Sequence, residues 1–496
     1  MNLLKRNIAA NFVGSLWQAL MSLIFIPVYI HFLGIEAWGL IGIFATLQTV
    51  FGLMDVGLSS TLNREMARLS VVPHKEQETR DLVRTLEAIY WGVAVVVGLI
   101  AVSSSSFIAH HWISESRLSP GTVEQSLVIM AFVMALQMPS GFYSGGLMGL
   151  QKQVLLNGIN IVMSTLRGAG AILVLWLVSP TIQAFFVWQI VVGTISTAVL
   201  AAFLWRSLPD ALGRAVFRKH LLAGVWRFTA GMSGIAVLST ILTQVDKIVL
   251  SKLLPLELFG YYALASTVAM SLARLYTPVF FSIYPRFTQL VSVDDQAELA
   301  RLYHQSCQFM AVLILPVAIV IALFSKELLL LWTHNPKMAD SSHALVSILI
   351  CGTAINGLMN FPYALQLAFG WTKLSVYKNV IAVMVVVPMI VAMTARFGAL
   401  GAAGVWLGLN LGYLCVEIPI MHLRLLRAEQ WRWYWQDVGL PLAAGIVVAG
   451  MSRLFVSVPK APWSAVGYLI VVSTLTLGST ALATPVTKAW LLRRTR

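Results

Sequence analysis

The stretch FLGIEAWGL (Phe32–Leu40) has a close counterpart 221 residues later, LLPLELFGY (Leu253–Tyr261). Both stretches carry a glutamate and a glycine at matching places, and each opens a long apolar run. The same offset brings LMGLQKQ (Leu147–Gln153) onto LAFGWTK (Leu367–Lys373) within one residue. Internal duplication of this kind is typical of transporters built from two similar halves.

The composition indicates an integral membrane protein. Hydrophobic residues make up 58% of the 496 residues and charged residues only 11%, whereas soluble domains carry about 25% charged residues. The net charge of +14 comes without a soluble basic domain, so we expect no nucleic-acid partner. Three scattered cysteines and an isolated His304 give no disulfide framework and no metal site. No cofactor is expected.

The apolar runs predict an all-α polytopic membrane protein with about 14 transmembrane helices. A membrane-crossing helix needs about 20 apolar residues. The predicted helices lie near 8–31, 38–59, 82–109, 125–149, 155–178, 183–206, 229–252, 259–282, 306–332, 343–369, 376–395, 400–424, 438–457 and 463–488.

The offset maps the first six helices onto helices 7–12. An even number of spans per repeat gives both halves the same orientation, so the pseudo-two-fold axis runs along the membrane normal. We therefore predict an N-terminal six-helix lobe (1–215), a C-terminal six-helix lobe (216–430) and two additional helices (431–496).

The basic residues predict the orientation of the chain. With a cytoplasmic N-terminus, 24 of the 34 Lys and Arg fall at inner loops or inner helix ends and seven at outer ones. Positive residues concentrate on the cytoplasmic side of membrane proteins, so both termini are predicted to be cytoplasmic. The longest connection, 60–81, is predicted to be a charged inner loop. Two glycine rows predict close helix packing: Gly141, Gly145, Gly149 and Gly404, Gly408, Gly412.

The remaining three basic residues lie within predicted spans and are assigned to neither end: Arg167, Lys247 and Arg274. A charge at that depth costs at least about 2.5–3.5 kcal/mol, so it marks a functional site or a paired structural group. Under the repeat these residues align with Pro388, Ile26 and Leu53, so the charges are asymmetric on a duplicated frame. This asymmetry favours a hydrated cavity that binds one anionic ligand.

Acidic residues also lie in the spans: Asp55, Asp246 and Glu417. They are candidates for ion coupling or for charge pairing. The alternative interpretation of the charges is packing, with Arg167 paired to Glu417. Neighbours on a helix point about 100° apart, so Asp246 and Lys247 are predicted not to neutralise each other.

Three stretches carry a resemblance to a known family: FGLMDVGLSSTLNREMARLS (Phe51–Ser70), TQVDKIVLSKLLPLELFGYYALAS (Thr243–Ser266) and FFSIYPRFTQL (Phe280–Leu290). They resemble the polysaccharide transporter family, which holds the O-antigen and capsule-repeat flippases of the multidrug/oligosaccharidyl-lipid/polysaccharide flippase superfamily. The resemblance implies a two-lobed bundle with a central cavity that alternates access.

The resemblance further implies a flippase, not an enzyme. Its substrate would be an undecaprenyl-pyrophosphate-linked oligosaccharide carried from the cytoplasmic to the outer leaflet of the bacterial inner membrane, with Arg167, Lys247 and Arg274 meeting the anion. A polysaccharide polymerase and chain-length partners are expected in the same membrane, and the protein itself is expected to be a monomer. Two alternatives stay open within the superfamily, namely a cation-coupled drug or metabolite antiporter and a lipid II flippase. A membrane polymerase or ligase would need a larger outer loop than this chain has.

Overall fold

The long apolar runs fold as helices, because a helix satisfies every backbone polar group internally and a membrane interior supplies no other partner. A computed structural model describes residues 3–55, 57–70, 72, 74–113, 116–211, 213–427, 429–459 and 461–485. Only the backbone is described for 3–5, 8, 220 and 222–236. The predicted end of helix 14 (486–488) and the basic tail (491–496) lie outside the described residues.

The chain divides into two compact units, Met1–Gly260 and Tyr261–Arg496. The predicted boundaries at 215 and 430 stay a prediction. The helices of the first unit are α1 (Leu3–Ile24), α2 (Ile26–Leu33), α3 (Ile35–Gly52), α4 (Leu58–Leu69), α5 (Glu76–Phe107), α6 (Pro120–Gly149), α7 (Gln153–Leu177), α8 (Ile182–Ser207), α9 (His220–Leu253) and the start of α10 (Leu256–Ser271). Short 3₁₀ and π-helical turns, Leu53–Asp55 and Ile108–Trp112, follow α3 and α5.

The described part of the second unit is also mainly helical. It contains α11 (Ala273–Ser292), α12 (Gln296–Leu323), α13 (Ser325–Thr333), α14 (Pro336–Leu358), α15 (Asn360–Ala368), α16 (Thr372–Arg424), α17 (Leu440–Phe455) and α18 (Pro462–Ala483). A helical turn Gln430–Arg432 and a π-helical stretch Trp433–Gly439 lead into α17.

Twelve helical segments among the described residues are long and apolar enough to cross a membrane, so the predicted multi-pass class is confirmed. One of them, α16, has 53 residues, about 80 Å of helix and far more than a bilayer needs. It breaks at Gly398, where φ is 58°, so α16 is two helices. α9, with 34 residues, is not among the twelve. The number fourteen stays a prediction.

The predicted repeat appears in the helix boundaries. α1, α3, α5, α6 and α7 begin 216 to 221 residues before α9, α10, α12, α14 and α16. α7 ends at Leu177, whose repeat counterpart is the break residue Gly398. The two halves of the sequence therefore fold with the same succession of long helices.

Several predicted spans are broken in the structure, and one predicted loop is a helix. The span 8–31 breaks at Phe25 and the span 343–369 at Met359, just before Pro27 and Pro362 in the first turns of α2 and α15. Proline lacks an N–H and crowds the carbonyl four residues earlier, so a helix tends to end before it. Most of the predicted loop 60–81 is instead α4 and the first turns of α5.

Two helix starts meet where the repeated stretches lie. A Cβ on Gly39 of α3 would lie 2.8 Å from the carbonyl oxygen of Leu256, and one on Gly260 of α10 would overlap the carbonyl oxygen of Ile35. Ile35 and Gly39 are the repeat counterparts of Leu256 and Gly260, so the contact is reciprocal. The duplicated glycines thus let the two equivalent helices cross at backbone contact.

Arg117 lies beside the same crossing. Its guanidinium is 3.8 Å from the carboxylate of Glu36 and 3.9 Å from that of Glu257. These two glutamates are also repeat counterparts. One arginine therefore contacts the same acidic position of both repeats.

The core of the first unit forms where α4, α5, α6, α7 and α8 converge. Leu62, Leu86, Phe142 and Leu204 are fully buried there. Gly145 lets α4 approach α6, because a Cβ on it would lie 2.5 Å from the carbonyl oxygen of Ser59. The first predicted glycine row is confirmed as a close packing surface. The second is wrong, since a Cβ on Gly404, Gly408 or Gly412 would have no described atom within 4 Å.

A buried histidine anchors the last helices of the second unit. His304 of α12, predicted to be isolated, lies 2.5 Å from Asp437 and 2.9 Å from Glu429 through its two ring nitrogens. Gln308 donates to the other oxygen of Asp437 at 2.8 Å. Because Asp437 is fully buried, these bonds satisfy a carboxylate that would otherwise be costly inside the protein.

We expect Gly260→Ala to lower the stability of the protein by about 1–3 kcal/mol, because the added methyl group overlaps the Ile35 carbonyl. Thermal unfolding of the purified protein in detergent measures the change. Gly408→Ala is the matched control and should leave stability unchanged or raise it by about 0.5–1 kcal/mol, since alanine is the better helix former. Equal stability of the two variants would contradict the backbone crossing.

Candidate functional site

Arg167 is a membrane-depth cation without an acidic partner among the described residues. It lies on the face of α7 that carries Leu156, Met163 and Ala171, all of which pack inside the first unit. Its Nε is buried and has no hydrogen-bond partner in the described part of the chain. A buried donor left in this way costs about 1–3 kcal/mol, and more when charged, so it indicates a place that a ligand or water completes.

α1 and α2 hold α7 in position through small and polar residues. Asn157 donates to Asn11 at 2.6 Å, and Trp17 donates to Thr165 at 2.9 Å. One turn further, a Cβ on Gly168 would overlap the ring of Phe25. The helix break at Phe25 thus lies directly against α7, one residue from Arg167.

Lys247 contacts its neighbour in sequence. Its Nζ lies 3.4 Å from both carboxylate oxygens of Asp246 and 2.9 Å from the carbonyl oxygen of Thr243. The prediction that Asp246 and Lys247 do not neutralise each other is therefore wrong. The four-carbon lysine stem is long enough to fold back across the 100° between adjacent side chains.

Lys247 also lines a cavity of about 320 Å³ between α3, α5 and α9. Of the described residues that form its wall, Lys247 is the one that carries a charge; the others include Thr46, Val50, Ser104, Phe107 and Trp112. Ligand pockets begin at about 300 Å³ and combine an apolar wall with a few polar groups. The cavity has the size and chemistry for part of an amphiphile with an anionic end.

Arg274 is exposed near the start of α11, just after the break between α10 and α11. Within the described residues its side chain has no hydrogen bond and no ion pair. Exposure together with the lack of an acid leaves its guanidinium available to a ligand. The prediction that Arg167, Lys247 and Arg274 line one cavity stays a prediction.

Asp55 has a structural partner. Its Oδ1 accepts hydrogen bonds from the backbone N–H of Ser59 at 3.1 Å and from its hydroxyl at 2.8 Å. Asp55 therefore satisfies part of the first turn of α4, which begins at Leu58. An ion-coupling role for Asp55 stays a prediction.

Glu417 is paired with a lysine that the sequence analysis did not single out. It accepts from Lys378 at 2.6 Å and from Gln366 at 2.8 Å. The predicted pairing of Glu417 with Arg167 is therefore wrong, but Glu417 has a structural partner, as the packing interpretation expects. Only 3% of the Glu417 side chain is exposed, against 19% of Lys378. The predicted span 376–395 places Lys378 at an inner helix end, whereas α16 begins six residues before Lys378, at Thr372.

The comparisons with known proteins agree with this architecture. A family model for polysaccharide biosynthesis proteins matches residues 4–291, more than half of the chain, and a MatE model matches residues 233–393. The chain belongs to the polysaccharide biosynthesis protein family. The family predicted from the sequence is thereby confirmed.

Two curated relatives extend the match. A Shigella flexneri protein named "Putative O-antigen transporter" is 22% identical over 380 residues, which cover 75% of this chain and 87% of that protein. The Bacillus subtilis membrane protein EpsK, itself uncharacterized, is 23% identical over 308 residues, or 56% and 57% of the two chains. As predicted, this polysaccharide biosynthesis family member resembles transporters rather than enzymes.

Solved structures confirm the fold of this polysaccharide biosynthesis family member. The lipid II flippase MurJ in an inward closed conformation has a TM-score of 0.67 at 12% identity, covering 98% of both chains. A MATE transporter bound to MaL6 has a TM-score of 0.58 at 12% identity, covering 85% of this chain and 96% of that one. A MOP superfamily transporter from Pyrococcus furiosus has a TM-score of 0.60 at 14% identity, covering 86% of this chain and 96% of that one. At these identities the likeness concerns the fold.

The Lys378–Glu417 pair yields a stability prediction. We expect Lys378→Met to destabilise the protein by about 3–5 kcal/mol, because Glu417 would remain buried without its cation. Adding Glu417→Gln should restore most of that loss, since Gln366 can still bond the neutral side chain. Thermal unfolding of the single and double variants provides the measurement.

Lys326→Met is the matched control, because Lys326 is paired to Asp340 at 2.6 Å in an exposed position. Exposed pairs contribute about 0–1 kcal/mol, so this variant should unfold close to the wild type. A Lys378→Met protein as stable as the control, or a double variant no better than the single one, would contradict the account of the pair.

Proposed function

We propose that this protein is a flippase for an undecaprenyl-pyrophosphate-linked oligosaccharide, such as an O-antigen, capsule or exopolysaccharide repeat unit. It carries the lipid from the cytoplasmic to the outer leaflet by alternating access. The family match and the O-antigen transporter relative support transport of a lipid-linked polysaccharide. The proposal adds the substrate head group and the residues that receive it. Arg167 and Arg274 have no acidic partner among the described residues, and Lys247 contacts Asp246 only at 3.4 Å, a weak contact that a pyrophosphate oxygen can replace.

The observation that carries the proposal is the unpartnered Arg167. Its neighbours in the first unit are apolar or uncharged, and no described acid contacts it. A pyrophosphate offers what this site lacks, namely negative charge and several acceptor oxygens that match a guanidinium. A scaffold role alone would leave the cost of this charge without compensation.

The physics of the transport step also supports cationic side chains. Transfer of a bare pyrophosphate into hydrocarbon would cost tens of kcal/mol by Born estimates. Fixed cations and water remove most of that barrier, while the lipid tail can stay in the bilayer. A membrane potential that is negative inside favours outward movement of an anion by about 2.3 kcal/mol per charge per 100 mV.

We place the protein in the bacterial cytoplasmic membrane with both termini on the cytoplasmic side, because the basic residues concentrate there under that orientation. A polysaccharide polymerase and chain-length proteins of the same membrane would receive its product. It would act as a monomer. Coupling to an ion through Asp55, Asp246 or Glu417 is part of the proposal, with the structural partners described above as the competing role.

We expect Arg167→Ala and Arg274→Ala to lower surface polysaccharide at least about tenfold in a complemented deletion strain, because each removes a charge-assisted contact worth about 1.5–3 kcal/mol. Immunoblots of surface polysaccharide and of the membrane-inserted protein provide the measurement. Arg396→Ala is the matched control, since Arg396 is an exposed arginine near the break in α16 and outside the proposed site.

The deletion strain separates the alternatives. A flippase for lipid-linked oligosaccharides should leave those lipids in the cytoplasmic leaflet when it is lost. Normal surface polysaccharide in both arginine variants, at normal protein levels, would contradict the proposal. Toxin sensitivity without a polysaccharide defect would point to an antiporter, and arrest of cell-wall synthesis would point to a lipid II flippase.

A further inference from the structure

Four aromatic rings gather around Lys378 in the second unit. They are contributed by α11, α15 and the second half of α16: Phe280, Tyr284, Tyr363 and Tyr413. All five side chains belong to half-buried residues, so the cluster is neither sealed in the core nor fully exposed. We call this set the aromatic–lysine cluster.

The rings of the cluster form a layered surface. Phe280 stacks on Tyr284 at 5.9 Å with an interplanar angle of 8°, and on Tyr363 at 6.3 Å with an angle of 16°. Lys378 Nζ lies 5.7 Å from the centre of the Tyr363 ring and 4.7 Å from that of Tyr413. Such a surface offers apolar ring faces and edges beside a hydrogen-bond donor.

The polar atoms of the cluster are only partly satisfied. Within the described residues, the hydroxyls of Tyr284 and Tyr363 form no hydrogen bond, while Tyr413 donates to Asn379 Oδ1 at 3.2 Å. Tyrosine hydroxyls and amide nitrogens of this kind usually find a partner. The cluster therefore presents two phenol hydroxyls and the Asn379 amide to whatever occupies the space beside it.

Lys378 differs from Arg167 in having its charge compensated. Glu417 accepts a hydrogen bond from one of the three N–H groups of Lys378. Gln366 donates to the other oxygen of Glu417, and Ser375 donates to Gln366. The pair is neutral as a whole, and two lysine donors remain. A neutral acceptor such as a hydroxyl oxygen suits this position, whereas an anion would compete with Glu417.

The duplicated frame does not require the cluster. In the first repeat the counterparts of Lys378, Tyr413 and Glu417 are Asn157, Val192 and Ser196. Asn157 serves there in helix packing against α1. Because the equivalent helices fold without these groups, the cluster is an addition of the second half.

We propose that the aromatic–lysine cluster is a glycan subsite that binds a neutral sugar ring of the lipid-linked oligosaccharide. The apolar face of the ring would pack on the aromatic surface, and its hydroxyls would bond to Tyr284, Tyr363, Asn379 and Lys378. This inference rests on the proposed function. In this proposal Arg167, which has no acidic partner among the described residues, binds the pyrophosphate. Lys378, which is paired with Glu417, binds sugar.

The test compares two lipid probes with purified full-length protein in nanodiscs. One probe is undecaprenyl pyrophosphate without sugar, and the other is the lipid-linked oligosaccharide extracted from the deletion strain. Tyr284→Phe/Tyr363→Phe keeps the rings and removes both hydroxyls, while Lys378→Met/Glu417→Gln removes the neutral pair together. Tyr377→Phe is the matched control, because Tyr377 is 65% exposed and outside the cluster.

We expect each double variant to bind the oligosaccharide-linked probe about tenfold more weakly than the wild type and the bare lipid equally well, because only sugar contacts are lost. Arg167→Ala should weaken both probes. Thermal unfolding identifies any variant that is destabilised. If the Lys378→Met/Glu417→Gln variant is destabilised, the Tyr284→Phe/Tyr363→Phe variant, which removes only two hydroxyls, tests the subsite.

Two outcomes overturn the subsite and can be told apart. If the wild type binds both probes and the variants keep full affinity, or lose both probes alike, the glycan subsite is wrong and the flippase stands. If the wild type binds neither probe, the proposed function fails and the subsite falls with it.

Discussion

The high cost of a charge in a nonpolar medium governs this structure. Lys378 is neutralised by Glu417, His304 lies between two carboxylates, and Lys247 folds back on Asp246. Each of these groups has an acid or base within its own unit. Arg167 and the exposed Arg274 lack one among the described residues, and of these two only Arg167 has a buried guanidinium nitrogen without a hydrogen bond. That contrast is the basis of the proposed anion-binding role of Arg167.

Most of these charged residues lie on helices that are repeated in the two halves of the sequence. The reciprocal approach of Gly39 and Gly260 shows that the two repeats meet through the same positions, and Arg117 contacts the same glutamate of each. Divergence then gave each repeat its own chemistry. Arg167 has no charged counterpart in the second repeat, and the aromatic–lysine cluster has none in the first. Each repeat therefore carries polar groups that the other repeat lacks.

The sequence predicted the helical class, the repeat and the family, because apolar length and internal similarity are properties of contiguous residues. Contacts between residues that are far apart in the sequence could not be predicted in this way. The Lys378–Glu417 pair joins residues on either side of the break at Gly398, and Lys378 looked peripheral because α16 begins before the predicted span. The sequence predicts a loop in place of α4, because charged residues of this helix, among them Arg64 and Arg68, interrupt the apolar run. The contact of Asp246 with Lys247 depends on the length of the lysine side chain, which the angle between adjacent residues on a helix does not predict.

The most direct test of the central claim is a structure of the protein with undecaprenyl pyrophosphate bound in a lipid nanodisc. The account predicts a pyrophosphate oxygen within hydrogen-bond distance of the Arg167 guanidinium, with Lys378 still paired to Glu417. A head group bound elsewhere, with Arg167 turned to the lipid or paired to an acid, would contradict it.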